Sequence, residues 1–597
     1  MKYFFSIIVI IYFLAIKVSG QDRPIYFDPA FPVPVALAAT WNPELIEEIA
    51  GELAEKVSRT ENEMLLFPGL NIYRNPLSGR NFMSFGEDPY LSSILAGSFG
   101  RGAAKHQVSL CAGNYVLDNQ EWGKPEGLEL KVDETAMQEI YLPPFREAIR
   151  GGSVDMILLS ANTLKGIGHI IEDGYYTRML RQQWKYNASM AGPDEIYPIL
   201  SLEGAGKGSD ADIHSLAMEA ARNSLVLLKN HGGLLPLDPD SLKSIALIGP
   251  NLFLARPYGG VTNYDPPTAV SPYESIKDLL GDSLTIWTAK GSNLADDIAM
   301  YEAASDDNIQ FEINEEMIAD AVEKAGKSDV AIIFAGLSGN YEGMGTDRPG
   351  LELPVQSRLI RAVYEANPNT IVVLQSGAAV DIEDWVFDVP AIMQAWYPGL
   401  YGSRAIAEAI FGHFNPSGKL PFTWAKEESD YPGLTGYKSK SMRVWYLEGV
   451  YLGYRHMDEK NIKARFPFGH GLTYTTFGIG KLMMNRKRDG SGWTATVEIV
   501  NMGSRTGTEV LQLYVKPLDH FNSRPEKELK AFKRVTLVPG QKKIVSIDLP
   551  VSSFDYYDHE KHAWTIDAGF YEILIATSAE NIKLWKTVEI KETQISQ

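Results

Sequence analysis

The stretch DVAIIFAG, residues 329–336, decides the fold class of the middle of the chain. It is apolar on both faces, which is typical of a strand in a parallel sheet covered by helices on both sides. Similar patterns recur around it, with strands predicted at 244–249, 370–376 and 391–396 and helices at 316–327, 355–366 and 403–411. This alternation predicts an α/β sandwich domain over residues 209–430.

Upstream, residues 31–205 also alternate between helix-like and strand-like stretches. A helix is predicted to begin at Asn42-Pro43, strands are predicted at 64–67, 108–112 and 156–160, and a further helix is predicted over 133–150. A closed eight-unit α/β barrel needs about 250 residues, and roughly 175 are present here. The sequence therefore predicts a truncated TIM-barrel-like parallel α/β domain over residues 24–208, with open strand edges that need cover.

Downstream, the pattern changes to short alternating strands at 493–500, 508–515, 543–549 and 571–575, with Gly or Asn at the turns. This pattern predicts an immunoglobulin-like β-sandwich over residues 490–595, joined to the second domain by a connecting segment over 431–489. The fold class is thus α/β multidomain with a β-sandwich at its end.

Composition excludes some classes of partner. The 597 residues include 56 basic and 75 acidic side chains, for a net charge of −19. Phosphate-rich partners would be repelled, so neither nucleic acid nor an anionic membrane is an expected partner. A neutral substrate such as a sugar is compatible with this charge. We expect no cofactor and no metal, because the histidines form no metal-binding pattern and no phosphate-binding loop is present.

The N-terminus predicts secretion. Lys2 precedes an apolar run that ends near Ile16, followed by small residues up to Gly20. Residues 1–20 are therefore predicted to be a signal peptide, because a run of about 14 apolar residues is shorter than the roughly 20 that span a bilayer. The sequon at Asn187 is a candidate glycosylation site. The single cysteine, Cys111, rules out an intrachain disulfide and is interpreted as a small buried hydrophobic residue.

Several long strings in collinear order resemble glycoside hydrolase family 3. They include FPVPVALAATWNPEL from 31, LLFPGLNIYRNPLSGRNFMSFGEDPYL from 65, VDETAMQEIYLPPF from 132, GLSGNYEGMGTDRPGLELP from 336, RFPFGHGLTYTTF from 465 and GTEVLQLYV from 507. The resemblance covers nearly everything after residue 31. It implies a barrel domain, an α/β sandwich and a fibronectin type III-like domain. It also implies an exo-β-glycosidase that acts on terminal glucose or xylose.

The resemblance also implies two catalytic carboxyl groups. A retaining glycosidase needs them about 5 Å apart, one ionised to attack and one protonated to release the leaving oxygen. The family's nucleophile position corresponds here to Pro193, so Asp194 lies one residue late and is either a shifted nucleophile or a turn residue. The family's acid position corresponds to Met344, which cannot carry a proton. Glu342, expected on a mobile loop, is either its replacement or a solvated loop glutamate.

Four candidate substrate-binding residues follow from the same resemblance. Arg80 matches the family's arginine, and Asp347 and Arg348 match the end of its acid-bearing loop. The family's Lys-His pair is replaced by Gly113-Asn114, which leaves Asn114 as the candidate at that position. Two charged groups that would hold a sugar are therefore missing.

Three hypotheses about function remain open. The chain is a secreted β-glucosidase-like protein of carbohydrate metabolism whose catalysis is impaired and which binds β-linked glucoside or xyloside oligosaccharides. Alternatively, it is an active β-glucosidase or β-xylosidase that uses Asp194 and Glu342 in shifted positions. The third hypothesis is a gene model that lacks exons between about residues 190 and 215. The sequence leaves the oligomeric state open.

Overall fold

Three structural regions follow one another along the chain. The computed structural model describes residues 25–26, 30–59, 64–123, 128–152, 154–160, 179–186, 189–191, 200–201, 211–256, 269–294, 313–339, 341–343, 345–353, 355–437, 442–519 and 524–596. The predicted signal peptide, the sequon at Asn187 and the candidate nucleophile Asp194 lie outside these residues. Within the described ranges, no helix has both the length and the apolar composition needed to cross a membrane.

The first region is built on a parallel sheet of six described strands. The strands up to residue 201 are β1 (Ile25–Tyr26), β2 (Met64–Leu66), β3 (Leu110–Tyr115), β4 (Glu129–Lys131), β5 (Val154–Leu159), β6 (Ser189–Ala191) and β7 (Leu200–Ser201). The sheet order is β6-β5-β3-β2-β1-β7, and β4 lies outside this sheet. Among the described residues this sheet therefore has six parallel strands, with β6 and β7 at its edges, which confirms the predicted parallel α/β fold of this region.

Helices pack against this sheet. They are α1 (Pro34–Ala39), α2 (Pro43–Ser58), α3 (Pro89–Ala104) and α4 (Pro143–Gly151). The α2 helix begins where predicted, because the Asn42 side chain accepts a hydrogen bond from the Leu45 amide at 3.3 Å and Pro43 occupies the first turn. Cys111 is fully buried in β3, and burial raises the pKa of its thiol to about 12, so it remains a neutral apolar group.

The helix predicted over 133–150 is broken. A short α-helical turn, Glu134–Ala136, runs into a π-helical turn, Met137–Tyr141, and α4 begins afresh at Pro143. Two consecutive prolines, Pro143 and Pro144, have no amide hydrogen to continue the helical ladder, and this explains the break.

The second region is an α/β sandwich. Its strands are β8 (Val226–Asn230), β9 (Ser244–Ile248), β10 (Thr285–Ala289), β11 (Val330–Gly336), β12 (Thr370–Gln375) and β13 (Ala391–Gln394). Its helices are α5 (Ala211–Ser224), α6 (Pro272–Leu280), α7 (Glu315–Gly326), α8 (Gln356–Ala366) and α9 (Gly402–Ile410). The sheet order is β10-β9-β11-β12-β13-β8, parallel except for β8. All seven residues of β11 are buried, with Ile333 facing one core and Ile332 the other.

The third region is the predicted β-sandwich. A short strand, β14 (Arg443–Trp445), pairs with β4, and α10 (Tyr454–Lys460) follows it. The remaining strands are β15 (Phe477–Arg486), β16 (Gly492–Asn501), β17 (Gly507–Pro517), β18 (Glu528–Leu537), β19 (Lys542–Pro550), β20 (Tyr556–Asp558), β21 (Ala563–Ile566), β22 (Gly569–Ala576), β23 (Ile582–Ile590) and β24 (Gln594–Ser596). The sheets β15-β16-β19 and β18-β17-β22-β23 enclose one apolar core. Strand β15 begins inside the segment predicted as a connection.

Buried polar contacts join the three regions. Glu87, before α3, accepts hydrogen bonds from the Thr423 amide and hydroxyl, both at 2.7 Å, and from the Tyr454 amide at 2.8 Å. Glu87 is 2% exposed, and this burial raises the pKa of its carboxyl group to about 7. The first domain is thus held to both later regions through one side chain.

Candidate active site

Polar side chains converge at the carboxyl ends of the neighbouring parallel strands β2, β3 and β5. Arg80 lies in the long loop after β2, Asn114 is near the end of β3, Asp118 follows β3, and Ser160 directly follows β5. The Asn114 amide donates to Asp118 at 2.7 Å, and the Ser160 hydroxyl donates to Asp118 at 3.1 Å. Barrel enzymes place their active sites at this end of the sheet, so the candidate site is built where the fold predicts it.

Arg80 is held by two carboxylates of the 116–122 loop, which follows β3. Its Nη2 donates to Asp118 Oδ2 at 2.8 Å, and its Nε donates to Glu121 Oε1 at 2.7 Å. The Arg80 side chain is 17% exposed, whereas those of Asp118 and Glu121 are 4% and 3% exposed. The pairing fixes the guanidinium in one orientation at the edge of the site, with charge-assisted hydrogen bonds on two of its sides.

A second loop, residues 341–348 of the α/β sandwich, is clamped onto the 116–122 loop. Asp347 accepts hydrogen bonds from the backbone amides of Gly79 at 2.9 Å, Glu121 at 2.9 Å and Trp122 at 2.7 Å. In return, Glu121 Oε2 accepts from the Gly345 amide at 3.0 Å. Burial raises the pKa of the Asp347 carboxyl group, against the lowering effect of the amide donors. Asp347 therefore holds the two domains together beside Arg80.

The close approach of these loops depends on a glycine. A Cβ at Gly79 would lie 1.6 Å from the Thr346 carbonyl oxygen and 2.6 Å from that of Gly343. No side chain fits this gap without moving the 341–348 loop. The glycine before Arg80 is thus needed for the domain contact.

Glu342 is a buried acceptor, which corrects the expectation of a mobile, solvated loop. Its side chain is 1% exposed. Oε2 accepts from the Gly377 amide and the Tyr397 hydroxyl, both at 2.7 Å, and Oε1 lies 3.4 Å from the Arg348 guanidinium. Burial raises the pKa of the Glu342 carboxyl group, and Arg348 opposes this increase. The candidate acid is therefore engaged inside the second domain, behind the site surface.

Arg348, predicted to bind substrate, is also fully buried. Its guanidinium donates to the backbone carbonyls of Pro76 at 3.2 Å, Ala379 at 2.8 Å and Leu351 at 3.3 Å. These contacts join the loop after β2 to the loop after β12. The structure thus gives Arg348 a role in holding the 341–348 loop in place.

Of the predicted site residues, the structure brings Arg80 and Asn114 together through Asp118, and Asp347 joins them through Gly79 and Glu121. Asp118 and Glu121 were not among the predicted site residues. The signal for them is in the sequence, because these two acidic residues follow the candidate Asn114 by only four and seven positions.

The side chains at this site are of the kinds that pair with hydroxyl groups. A fixed guanidinium, an amide and carboxylates together offer hydrogen-bond donors and acceptors, as a sugar ring requires. Both carboxylates of the 341–348 loop are already acceptors for protein groups. Across the part of the chain that the structure describes, no group of three or more His, Cys, Asp or Glu side chains is arranged to hold a metal ion.

The sequence of domains and the position of this site define a multidomain glycoside hydrolase, and comparisons with known proteins identify the family. The glycosyl hydrolase family 3 N-terminal domain matches residues 18–196, the C-terminal domain of that family matches residues 225–474, and a fibronectin type III-like domain matches residues 509–579. Thermostable beta-glucosidase B of Acetivibrio thermocellus is 33% identical, over 94% of this chain and 80% of the relative. The chain belongs to glycosyl hydrolase family 3.

Solved structures show the same architecture. The family 3 beta-glucosidase of Bifidobacterium adolescentis superposes with a TM-score of 0.83 at 27% identity, over 94% of this chain and 88% of that one. Beta-glucosidase 3B of Thermotoga neapolitana, solved in complex with glucose, gives a TM-score of 0.80 at 27% identity, over 96% and 92% of the two chains.

This chain is shorter than its relatives within the matched region. The alignment with the Acetivibrio enzyme runs over 621 positions, more than the 597 residues of this chain. The relative therefore contains segments that have no counterpart here.

Proposed function

We propose that this protein binds β-linked glucosides at the carboxyl ends of β2, β3 and β5, and that its hydrolytic activity is severely impaired. The observation behind the impairment is the environment of Glu342, a 1% exposed side chain bonded to Gly377, Tyr397 and Arg348. A general acid must come within about 3 Å of the leaving oxygen. A carboxyl group enclosed by its own domain does not meet this requirement.

Retention of binding is supported by the Arg80 cluster. The cluster keeps a fixed cation with hydrogen-bonding neighbours in Asn114 and Asp118. Among the relatives, one is named a thermostable beta-glucosidase and one structure was solved with glucose. Arg80 and its partners supply positioning, whereas proton transfer and a covalent intermediate require carboxyl groups aimed at the anomeric centre.

The alternative is an active enzyme that uses Asp194 and Glu342. It would require Glu342 to leave two 2.7 Å hydrogen bonds and a buried arginine, and to cross to the site side of its loop. Breaking a buried ion pair costs about 3–5 kcal/mol, so this rearrangement would lower the population of the active form by at least about a hundredfold. Impaired catalysis is therefore the better-supported reading.

The test compares binding with turnover on the full chain. Titration calorimetry with glucose and cellobiose should detect binding, while 4-nitrophenyl β-D-glucoside and β-D-xyloside should be hydrolysed at a rate far below that of a typical glycosidase, whose kcat is about 1–1,000 per second. The Met344→Glu variant restores the family's acid at its usual position and should increase turnover if Asp194 acts as the nucleophile. Turnover at a typical glycosidase rate in the unchanged chain would refute the proposal.

We also propose that the protein is secreted and that Asn187 is glycosylated. The support comes from the apolar stretch within residues 1–20 and from the sequon at 187–189. In a eukaryotic host, removal of residues 1–20 should keep the protein inside the cell. Deglycosylation should lower the apparent mass of the secreted chain but not that of the Asn187→Gln variant, and an unchanged mass in both would count against the glycan.

A further inference from the structure

The loop after β2, residues 67–88, carries Arg80 and folds back on itself. The Ser84 hydroxyl donates to the Asn71 carbonyl oxygen at 2.8 Å, which joins an early part of the loop to a later one. A single helical turn, Asn81–Met83, connects Arg80 to Ser84. The backbone that presents Arg80 is therefore anchored at Asn71.

The side chain of Asn71 joins this loop to the next one. Its Nδ2 donates to the backbone carbonyl oxygen of Asn114 at 2.6 Å, and its Oδ1 accepts from the backbone amide of Asp118 at 3.1 Å. The partners determine the orientation of the side-chain amide, because a carbonyl needs a donor and an N–H group needs an acceptor. Asn71 thus fixes the end of β3 and the start of the 116–122 loop relative to each other.

Both residues that Asn71 holds belong to the Arg80 cluster. Asn114 donates to the Asp118 carboxylate at 2.7 Å, and that carboxylate accepts from the Arg80 guanidinium at 2.8 Å. The hydrogen bonds form a closed ring that runs from Arg80 through Asp118 and Asn71 to Ser84 and returns to Arg80 along the backbone. The guanidinium and the backbone of the Arg80 segment are therefore both held through Asn71.

We propose that Asn71 is a positioning residue for the Arg80 cluster, one that acts on a bound glucoside only through Asn114 and Asp118. The inference rests on the proposed binding function and adds to it a residue outside the cluster itself. Groups that contact a ligand must be held close to their productive geometry by neighbouring hydrogen bonds, and a small displacement costs much of the affinity. Loss of the Asn71 side chain frees Asn114 and Asp118 together, and with them the orientation of Arg80.

The experiment is a double-mutant cycle on the full chain, with glucose affinity measured by titration calorimetry. Asn71→Ala removes one donor and one acceptor, so the affinity should fall about tenfold. In the Arg80→Lys background the same change should lower the affinity by less than about threefold, because the guanidinium that Asn71 orients is no longer there. A change that only loosens the fold lowers the affinity by the same factor in both backgrounds.

Asn119 provides the matched control, because it is an asparagine that joins the same two loops. Its Nδ2 donates to the Ile72 carbonyl oxygen at 2.6 Å, and its Oδ1 accepts from the Tyr446 hydroxyl at 3.0 Å. These contacts lie outside the ring of hydrogen bonds through Arg80. Asn119→Ala should lower the melting temperature at least as much as Asn71→Ala, while glucose affinity stays within about a factor of two of the unchanged protein.

A second variant, Asn71→Asp, keeps the acceptor for the Asp118 amide but sets a carboxylate oxygen against the Asn114 carbonyl. It should lower glucose affinity by about threefold or more, and this loss should also shrink in the Arg80→Lys background. Equal losses in both backgrounds, or equal losses of affinity from Asn71→Ala and Asn119→Ala, would overturn this inference and leave the proposed binding function standing. If the unchanged chain bound neither glucose nor cellobiose, both would be overturned.

Discussion

The 116–122 loop and the 341–348 loop meet beside Arg80, and each contributes two carboxylates. In the 116–122 loop, Asp118 and Glu121 pair with Arg80, which reaches the surface. In the 341–348 loop, Glu342 and Asp347 accept mainly from backbone amides and a buried tyrosine. The same chemical group thus fixes a partly exposed cation in one loop and holds domain structure together in the other.

The difference lies in the partner of each carboxylate. A carboxylate paired with a partly exposed cation leaves that cation able to contact a ligand, while a carboxylate that satisfies buried amides is fixed by the cost of leaving them unpaired. Substitutions in the 341–348 loop should therefore affect stability first, and substitutions around Arg80 should affect binding first. The following predictions test this division.

Glu342→Ala should have the largest effect. It leaves the Gly377 amide, the Tyr397 hydroxyl and the buried Arg348 guanidinium without their carboxylate, which is expected to reduce the free energy of unfolding by about 3–5 kcal/mol. Urea denaturation measures the change. Glu352→Ala, at an exposed position of the same domain, should stay within about 0.5 kcal/mol of the unchanged protein.

A contrary result would be informative about mechanism. If Glu342→Ala retained full stability but lost residual hydrolysis of 4-nitrophenyl β-D-glucoside, Glu342 would be a catalytic acid and the division between the loops would fail. Equal stability losses at Glu342 and Glu352 would also contradict the prediction.

Glu87 is another buried carboxylate at a domain contact, and its effect on stability can be tested through pH. The folded state raises the pKa of its carboxyl group from 4.5 to about 7, so the fold favours the protonated form. Stability from this group is fully present below about pH 4.5 and falls as pH rises to about 7, by about 3 kcal/mol in total. Urea denaturation measures the free energy of unfolding at each pH. Between pH 4.5 and 8 the unchanged protein should lose this amount of stability relative to Glu87→Gln, which cannot titrate. If the free energies of unfolding of the two proteins changed with pH in parallel, the prediction would be wrong.

Asp347→Asn should have an intermediate effect. An amide NH2 group cannot accept from the amides of Gly79, Glu121 and Trp122 as a carboxylate does, so the free energy of unfolding should fall by about 1–3 kcal/mol. The matched control is Asp384→Asn, at an exposed position of the same domain. If both variants unfolded at the same urea concentration, the clamp between the two loops would contribute nothing to stability.

The sequence predicted four of the six strands of the second domain's sheet closely, because these strands are apolar on both faces, and it missed the two edge strands β8 and β10. The strand predicted at 329–336 is observed at Val330–Gly336, and that predicted at 370–376 is observed at Thr370–Gln375. Strands of two residues, such as β1 and β7, have no periodicity from which to be predicted. The helix predicted over 133–150 missed the Pro143-Pro144 break because its apolar spacing continues across the prolines.

The candidate site could be predicted only in part. The position of Arg80 follows from a string of neighbouring residues, so the sequence is sufficient to identify it. The burial of Glu342 is set by Gly377 and Tyr397, which lie 35 and 55 residues further along the chain. Its local sequence, between Tyr341 and Gly343, is that of an ordinary loop. Long-range packing therefore decides whether a loop carboxylate is catalytic or structural.

Arg80→Lys tests the other side of the division and should have the smallest effect on stability. Lysine keeps the charge but cannot contact Asp118 and Glu121 through two fixed N–H groups, as Arg80 does. Because the side chain is partly exposed, the loss of stability should be about 1 kcal/mol or less, while affinity for glucose at this site should fall about tenfold. Arg101→Lys, at an exposed ion pair with Glu47, should change neither quantity measurably. If Arg80→Lys lowered stability as much as Glu342→Ala and left glucose affinity unchanged, the 116–122 loop would be as structural as its neighbour, because the guanidinium would then serve the fold and not the ligand.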